Sequence, residues 1–166
     1  MDKIENEIPI NTKVVIDFRG VMTVVDNISA IVGFEPKRVF SINNVPPGTT
    51  RGDHSHHNCT QAIVVTSGIV IVHADDGINH NDFVFRPGEG LIIPPGIWSR
   101  QTFRVPNSSV IVFCDQQYDA NDYIHDEQFM EWQERFCYYA KTQESFLDKS
   151  LNLLEKFKIN SQVASK

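Results

Sequence analysis

Two histidines separated by one residue, His54 and His56, are the side chains of this sequence best suited to acid–base chemistry. An imidazole has an ordinary pKa near 6.5, so it can both take up and release a proton close to neutral pH. If the pair lies in a β-strand, both rings project from one face with their backbones about 7 Å apart. This span can bracket neighbouring carbons of a bound ring, and it predicts proton transfer on a cyclic substrate.

Short runs of β-branched and aromatic residues predict the strands that would position this pair. The runs are residues 21–25, 38–42, 62–65, 69–72, 82–85, 91–93 and 109–113. Turn-forming clusters such as Asp75-Asp76-Gly77 and Pro94-Pro95-Gly96 separate them. Between residues 14 and 113 we therefore expect seven to nine strands and almost no helix, arranged as a sandwich or barrel.

After residue 126 the apolar side chains recur every three or four residues, as in an amphipathic helix. The recurring residues are Phe129, Trp132, Phe136 and Tyr139, followed by Phe146, Leu147, Leu151, Leu154 and Phe157. We expect a barrel domain over residues 1–126 and a helical extension over residues 127–166. The extension is predicted to pack on the barrel or on the interface of a homodimer, since an aromatic stripe left in water favours association.

Charge, apolar runs and cysteine spacing narrow the possible partners and the expected cellular compartment of the protein. The 166 residues include 15 Lys and Arg against 21 Asp and Glu, a net charge of −6, which disfavours nucleic acid as a partner. The apolar runs are too short to cross a bilayer, and the first residues lack the apolar core of a secretory signal, so we expect a cytoplasmic protein without a membrane partner. The three cysteines lack Cys-x-x-Cys spacing, which indicates reduced thiols.

Arginines are concentrated in the predicted barrel. Six lie between residues 14 and 113, namely Arg19, Arg38, Arg51, Arg86, Arg100 and Arg104. The guanidinium group binds phosphate oxygens through paired hydrogen bonds, whereas lysine is more often a solvated surface charge. This distribution is consistent with a small phosphate-bearing substrate.

Residues 48–68 resemble the first motif of the cupin family, which contains a His-x-His pair, a later glutamate and flanking glycines. Gln61 stands at the glutamate position. Residues 88–103 resemble the second cupin motif, and Ser99 stands where that motif has a histidine. The resemblance implies an all-β fold, the cupin or RmlC-like jelly roll, which is a double-stranded β-barrel with both motifs lining its bowl.

Metal-bearing cupins hold their ion with the four side chains at these positions. In this sequence the set is His54, His56, Gln61 and Ser99, two imidazoles with a neutral amide and a hydroxyl. Neutral amides and hydroxyls are poorer ligands of a divalent cation than carboxylate and imidazole. We therefore expect no metal at this site, although a metal cupin with an atypical ligand set remains an alternative.

Further segments resemble one narrower family, the sugar-nucleotide 3,4-ketoisomerases or WxcM-like cupins. They are residues 17–20, 37–40, 51–56, 95–98 and 118–124, of which the last reads Tyr-Asp-Ala-Asn-Asp-Tyr-Ile. Members of this family move the ketone of TDP-4-keto-6-deoxyglucose from C4 to C3 through an enediol, without a metal or an organic cofactor. Their products enter the biosynthesis of 3-amino-deoxysugars of bacterial surface glycans.

The resemblance implies the roles of the site residues. His54 and His56 would be catalytic, no cofactor would be needed, and the substrate would be a TDP-linked keto-deoxyhexose. The predicted substrate-binding residues are Arg19, Arg38, Arg51, Gln61, Ser99 and Arg100. The resemblance also implies a homodimer.

Two positions depart from the family pattern. The segment after residues 37–39 is often tyrosine-rich in the family but reads Phe40-Ser41 here, and a histidine that commonly follows the tryptophan is replaced by Ser99. These changes remove two possible proton donors. Two alternatives therefore stay open, a catalytically silent cupin that binds a nucleotide sugar or a glycan-pathway partner, and an isomerase for another nucleotide sugar.

Overall fold

The computed structural model describes residues 12–76 and 80–125. In this part of the chain the helices are limited to α1 (Ile28–Val32) and a single 3₁₀ turn, Ala120–Asp122. The strands are β1 (Thr12–Asp17), β2 (Gly20–Val25), β3 (Arg38–Ile42), β4 (Thr50–His56), β5 (Gln61–Ser67), β6 (Val70–Asp75), β7 (His80–Phe85), β8 (Gly90–Ile93), β9 (Trp98–Phe103), β10 (Ser109–Cys114) and β11 (Tyr123–His125).

Two antiparallel sheets form the body of the protein. One has four strands in the order β3-β10-β5-β8, and the other has five strands in the order β11-β4-β9-β6-β7. The hairpin of β1 and β2 forms a third, separate sheet. Consecutive strands of the chain alternate between the two large sheets from β3 to β6, which is the crossing pattern of a jelly roll.

The main hydrophobic core lies between the two large sheets. Ile63, Val65 and Val112 from the four-stranded sheet belong to the same buried cluster as Val72 and Phe103 from the five-stranded sheet. Alternate residues of these strands point inward, so each sheet contributes one apolar face.

The strand β5 is buried on both faces, which explains why its sequence is a continuous apolar run. Ile63 and Val65 point into the main core, whereas Ala62 and Val64 form a second cluster with Ile31 and Val32 of α1. The short helix therefore covers the outer face of this strand. A strand covered on both sides loses the alternation of polar and apolar residues that marks a half-exposed strand.

The prediction of an all-β domain with almost no helix is confirmed. Each of the seven apolar runs contains or overlaps a strand, but the expected count of seven to nine is too low, because ten strands occur between residues 12 and 114. The strands without an apolar run include β4 and β9, whose inward faces carry polar side chains. The predicted extension over residues 127–166 lies outside the described residues.

The described helices do not reach the length and hydropathy that a bilayer-spanning helix requires.

Candidate active site

A β-bulge in β4 sets the direction of the site residues. Gly52 pairs with Arg100 of β9 and His54 pairs with Ser99, so Asp53 is an extra residue without a partner in the ladder. Gly52 and Asp53 have φ angles of 98° and 61°. Since paired residues of antiparallel strands share a face, the bulge places Arg51 and His54 on the same inward face, three positions apart.

His54 and His56 form one cluster of aromatic rings with Tyr123 of the neighbouring strand β11. The two imidazole ring centres lie 4.9 Å apart in an edge-to-face arrangement. The Tyr123 ring centre lies 4.8 Å from that of His54 and 4.5 Å from that of His56. The structure thus confirms that both histidines project from one face, and it adds a phenol to the pair.

Hydrogen bonds define the tautomer of both rings. The Nδ1 of His54 lies 2.9 Å from the carbonyl oxygen of Gly52, and the Nδ1 of His56 lies 3.0 Å from the Asp122 carboxylate. Both partners can only accept, so each Nδ1 carries the proton and each Nε2 is the basic nitrogen of the neutral ring. The Nε2 of His56 receives a hydrogen bond of 3.1 Å from the Gln61 amide.

Burial keeps the His56 ring neutral near pH 7. Desolvation, assisted by the neighbouring His54 and by the Arg38 guanidinium, lowers the pKa of His56 to about 4, although Asp122 acts in the opposite direction. Burial would raise the pKa of Asp122, but hydrogen bonds from Asn58, His56 and Cys59 lower it below its ordinary value. The pair is therefore a neutral imidazole held by a carboxylate.

Arg38 on the inward side of β3 supplies a positive charge to this site. Its Nη2 donates to the Cys114 sulfur at 3.3 Å. Burial raises the pKa of Tyr123 while the nearby Arg38 opposes the increase, so the phenol keeps its proton at neutral pH. The Arg38 Nε is buried and has no hydrogen-bond partner among the described residues. A buried donor without a partner is costly, so this nitrogen is a candidate donor to a bound ligand.

The sequence matches the family described as FdtA: WxcM-like, C-terminal over residues 6–134, which is most of the chain. The chain belongs to the WxcM-like family. No curated protein sequence matches it.

Solved structures of 3,4-ketoisomerases resemble the chain over nearly their whole length. The WlaRB TDP-quinovose 3,4-ketoisomerase from Campylobacter jejuni is 30% identical, with a TM-score of 0.61, and the match covers 77% of this chain and 99% of that one. A double mutant of the QdtA 3,4-ketoisomerase from Thermoanaerobacterium thermosaccharolyticum, in complex with TDP, is 28% identical with a TM-score of 0.64, over 76% of this chain and 94% of that one.

A more distant structure confirms the predicted RmlC-like cupin fold. The dTDP-4-dehydrorhamnose 3,5-epimerase from Bacillus anthracis, solved with TDP and PPi, has a TM-score of 0.56 at 18% identity, over 70% of this chain and 79% of that one. At this identity the likeness concerns the fold alone.

The structure brings most of the predicted site residues of this WxcM-like protein together. Gln61 contacts His56, and Ser99 is buried beside His54, where its hydroxyl accepts a hydrogen bond of 3.4 Å from Gln101. Arg51 pairs with Gln101 on the same inward face and is exposed at the margin of the site.

Two predicted residues lie apart from the histidine pair. Arg100 follows Ser99 in β9 and points to the opposite face of the sheet, where it forms an ion pair with Asp53 and covers the Trp98 ring. Arg19 lies in the turn between β1 and β2, where it pairs with Asp17 at 2.5 Å and is 74% exposed. The proposed contacts of Arg19 and Arg100 with substrate stay predictions.

Sequence reasoning assigned no role to Asp122 and Tyr123. Both belong to the Tyr-Asp-Ala-Asn-Asp-Tyr-Ile segment that carried the family resemblance, and Asp122 is buried. An acidic residue next to an aromatic one inside that segment is the only signal that could have singled them out. Their contacts with β4 depend on pairing between distant parts of the chain.

Two groups of side chains have the geometry to hold a metal ion among the described residues. His56, Cys59 and Asp122 form a buried group, but Asp122 already accepts hydrogen bonds from the His56 ring and from the Cys59 backbone N–H. His73, His80 and Asp82 form a second group that is partly exposed. At the four cupin ligand positions, the Gln61 amide donates to the nitrogen of His56 that would bind an ion, so this arrangement suits proton transfer better than metal binding.

Proposed function

We propose that the protein is a sugar-nucleotide 3,4-ketoisomerase that converts a TDP-linked 4-keto-6-deoxyhexose into its 3-keto isomer. The observation that carries this proposal is the contact between His54 and His56, two rings whose Nδ1 atoms donate and whose basic nitrogens are both Nε2. The similarity to solved 3,4-ketoisomerases supports the reaction class. One of these structures contains TDP, which supports the nucleotide part of the substrate.

The first step is removal of the proton from C3, which the C4 carbonyl makes acidic. We assign this step to Nε2 of His54, because that ring is only half-buried, whereas His56 is buried and bonded at both nitrogens. The C3–H bond breaks, its electron pair forms the C3=C4 double bond, and negative charge moves to the C4 oxygen. A positioned imidazole typically accelerates such a transfer by about 10²–10⁴-fold.

The enediolate formed in this step needs hydrogen-bond donors. The protonated Tyr123 phenol lies against both imidazoles, and the Arg38 Nε is a buried donor that lacks a partner in the described structure. Donors that are fixed before the reaction stabilise developing negative charge without the cost of reorientation. We assign this role to Tyr123 and Arg38, with Gln61 holding His56.

The second step delivers a proton to C4. The His54 imidazolium lies beside His56, so either ring can be the immediate donor, and Asp122 stabilises positive charge on His56. A C4–H bond forms with the imidazolium proton, the C3 hydroxyl passes its proton to the C4 oxygen, and the ketone appears at C3. The oxidation of C3 and the reduction of C4 balance within the sugar, so the reaction requires no external oxidant or reductant.

In this proposal the product supplies the biosynthesis of 3-amino-deoxysugars of bacterial surface glycans, and the working form is a homodimer. A 3-keto sugar is the type of substrate that an aminotransferase converts into a 3-amino sugar.

Proton NMR of the purified protein with TDP-4-keto-6-deoxyglucose in D2O tests the proposal. We expect a 3-keto product with deuterium in the ring, and neither signal with His54→Asn or His56→Asn, while both variants still bind TDP. Ring exchange without product would support proton removal but redirect the substrate to another nucleotide sugar. Binding without exchange or product would contradict the proposal and favour a silent binding protein, as would unchanged turnover in both variants.

A further inference from the structure

The outer face of the β6–β7 hairpin carries a cluster of histidines and carboxylates that the proposed reaction does not use. The register pairs His73 with Asp82 and Asp75 with His80 across the two strands. Side chains of paired residues share a face, and residues two apart in a strand share it as well. Four groups with metal-ligand chemistry therefore lie on one small patch.

The Asp82 carboxylate lies between the two imidazoles. Its Oδ1 is 2.6 Å from the Nδ1 of His73 and 3.1 Å from the Nε2 of His80. One ligand atom from each of these three residues lies within 4.8 Å of the other two. The second carboxylate, Asp75, has its Oδ2 3.8 Å from the Nδ1 of His80.

A hydroxyl group contacts the second ring nitrogen of His73, the less exposed of the two histidines. The Nε2 of His73 lies 2.9 Å from the Thr102 hydroxyl on the adjacent strand β9. Without an ion, the Asp82 carboxylate can only accept, so Nδ1 of His73 carries the proton and Nε2 accepts from the hydroxyl. When an ion binds Nδ1, the proton moves to Nε2 and the same hydroxyl accepts from it. Such a partner on the second nitrogen is the usual support of a metal-binding histidine, since it fixes the tautomer and the ring orientation.

We infer that His73, His80 and Asp82 form a binding site for a divalent transition-metal cation of the zinc class. Two imidazoles and one carboxylate are the ligand set that such borderline cations accept, with water or Asp75 completing the coordination. His80 and Asp82 are 58% and 53% exposed, and His73 is 21% exposed. An ion can therefore enter from solvent without opening of the barrel.

The charges around the cluster favour a cation. Asp75 and Asp82 provide two carboxylates on this face. Arg100, which pairs with His73 in the ladder, is the opposing charge on the neighbouring strand, and its guanidinium is engaged by Asp53 and the Trp98 ring.

The inferred site is separate from the histidine pair of the proposed ketoisomerase. His73 and Asp75 alternate in β6 with Ala74, which is buried on the inward face opposite Ser99. The sheet therefore separates the two groups of histidines. Loss of the outer cluster would leave the geometry of His54 and His56 unchanged.

Titration of the purified full-length protein with Co²⁺, followed by absorption spectroscopy and calorimetry, tests this inference. We expect one equivalent to bind without a thiolate-to-cobalt charge-transfer band, and the melting temperature to rise with the Co²⁺ concentration. His80→Ala and Asp82→Asn should each weaken binding at least about tenfold, which is the effect of losing a ligand or its orienting partner. The exposed His57→Ala variant is the matched control and should bind as the wild type does.

Two results would overturn the inference. One is an affinity for Co²⁺ that His80→Ala and Asp82→Asn leave unchanged. The other is binding accompanied by the thiolate band, which would place the ion at a cysteine. Because the readout is binding of Co²⁺ and not turnover, it is independent of the proposed ketoisomerase activity.

Discussion

The His56 imidazole donates a hydrogen bond of 3.0 Å to the Asp122 carboxylate, although 66 residues separate the two in the sequence. The same carboxylate accepts from the backbone N–H groups of Asn58 and Cys59 at 2.8 and 3.2 Å. It is therefore held rigidly against the chain that leaves β4. A carboxylate in this position keeps the proton on Nδ1 of His56 and stabilises the imidazolium when it forms.

Replacement of Asp122 by asparagine tests this role. The introduced amide would present an N–H donor or a weaker acceptor to Nδ1, so the histidine would lose the support for its tautomer. We expect kcat of the proposed isomerisation to fall by at least about 10²-fold. Quantitative NMR of product formation measures the rate, and TDP binding should change little.

The exposed carboxylate Asp119 provides the control for this variant. It caps the 3₁₀ turn by accepting from Asn121, whereas the hydrogen bonds of the His56 ring go to Asp122 and Gln61. Asp119→Asn should keep kcat within about a factor of two or three. Equal activity of Asp122→Asn and the wild type would show that the carboxylate has no part in the chemistry.

Tyr123→Phe removes a phenolic donor and preserves the ring that packs on both imidazoles. We expect kcat to fall by about 10²-fold, the effect of deleting one donor to a developing oxyanion, with little change in melting temperature. Tyr118→Phe is the control, because Tyr118 is 67% exposed and its ring centre is 5.9 Å from that of Tyr123. Full activity of Tyr123→Phe would remove the phenol from the mechanism.

The lowered pKa of His56 predicts how stability depends on pH. The folded value is about 4, while the unfolded value is near 6.5, so below pH 6.5 the unfolded state binds the extra proton first. The free energy of unfolding should fall as the pH decreases from about 6.5 to about 4, with a contribution from this ring on the order of 3 kcal/mol. Above pH 7 this contribution is constant.

Urea denaturation at a series of pH values measures this dependence. His56→Asn lacks the titrating ring, so its free energy of unfolding should vary less with pH in that interval than the wild-type value does. Identical slopes in the two proteins would mean that the histidine has the same pKa in the folded and unfolded states.

Gly52→Ala tests the bulge that orients the site. A Cβ atom at Gly52 would lie 2.8 Å from the carbonyl oxygen of Ser99, and the backbone φ of 98° already disfavours a side chain. We expect a loss of stability beyond the roughly 1–2 kcal/mol that a left-handed conformation costs alanine. The Gly52 carbonyl also accepts the hydrogen bond from His54. The activity of the folded protein should therefore fall as well, in addition to the loss caused by unfolding.

Gly48→Ala separates the effect of the steric clash from the effect of the left-handed backbone conformation. Gly48 has a similar φ of 82°, but a Cβ there meets no atom within 4 Å. Thermal unfolding and NMR assays of both variants should show a milder effect at Gly48. A Gly48→Ala variant that is damaged as much as Gly52→Ala would show that the close approach to Ser99 is unimportant.

Alternation along a strand was sufficient to predict that His54 and His56 share a face, and the cupin motifs placed Gln61 and Ser99 beside them. No apolar run in the sequence predicted strand β9, because its inward residues Ser99 and Gln101 are polar. The sequence also did not predict which face of the sheet each arginine side chain occupies. One extra residue at Asp53 brings Arg51 to the inward face, while Arg100, across from Gly52, points outward.

The roles of Asp122 and Tyr123 depend on contacts that no local pattern encodes. Their strand β11 has three residues, too few for a recognisable period, and it pairs with β4 far earlier in the chain. Sequence spacing predicts neighbours along an element, but the partner of His56 follows from how the sheets close. The cluster of His73, His80 and Asp82 was not predicted for a different reason, because it depends on the register of the β6–β7 hairpin, which the apolar runs did not specify.

The position of β11 at the end of the described chain has a consequence for synthesis on the ribosome. When the strands up to β10 have emerged, the nascent chain contains both histidines and Gln61, but neither the carboxylate that orients His56 nor the phenol that lies against both rings. The site is completed by closure of a long loop, one of the slower and entropically more costly steps of folding. A barrel interrupted before residue 122 would carry the conspicuous motif and still lack a competent proton-transfer centre.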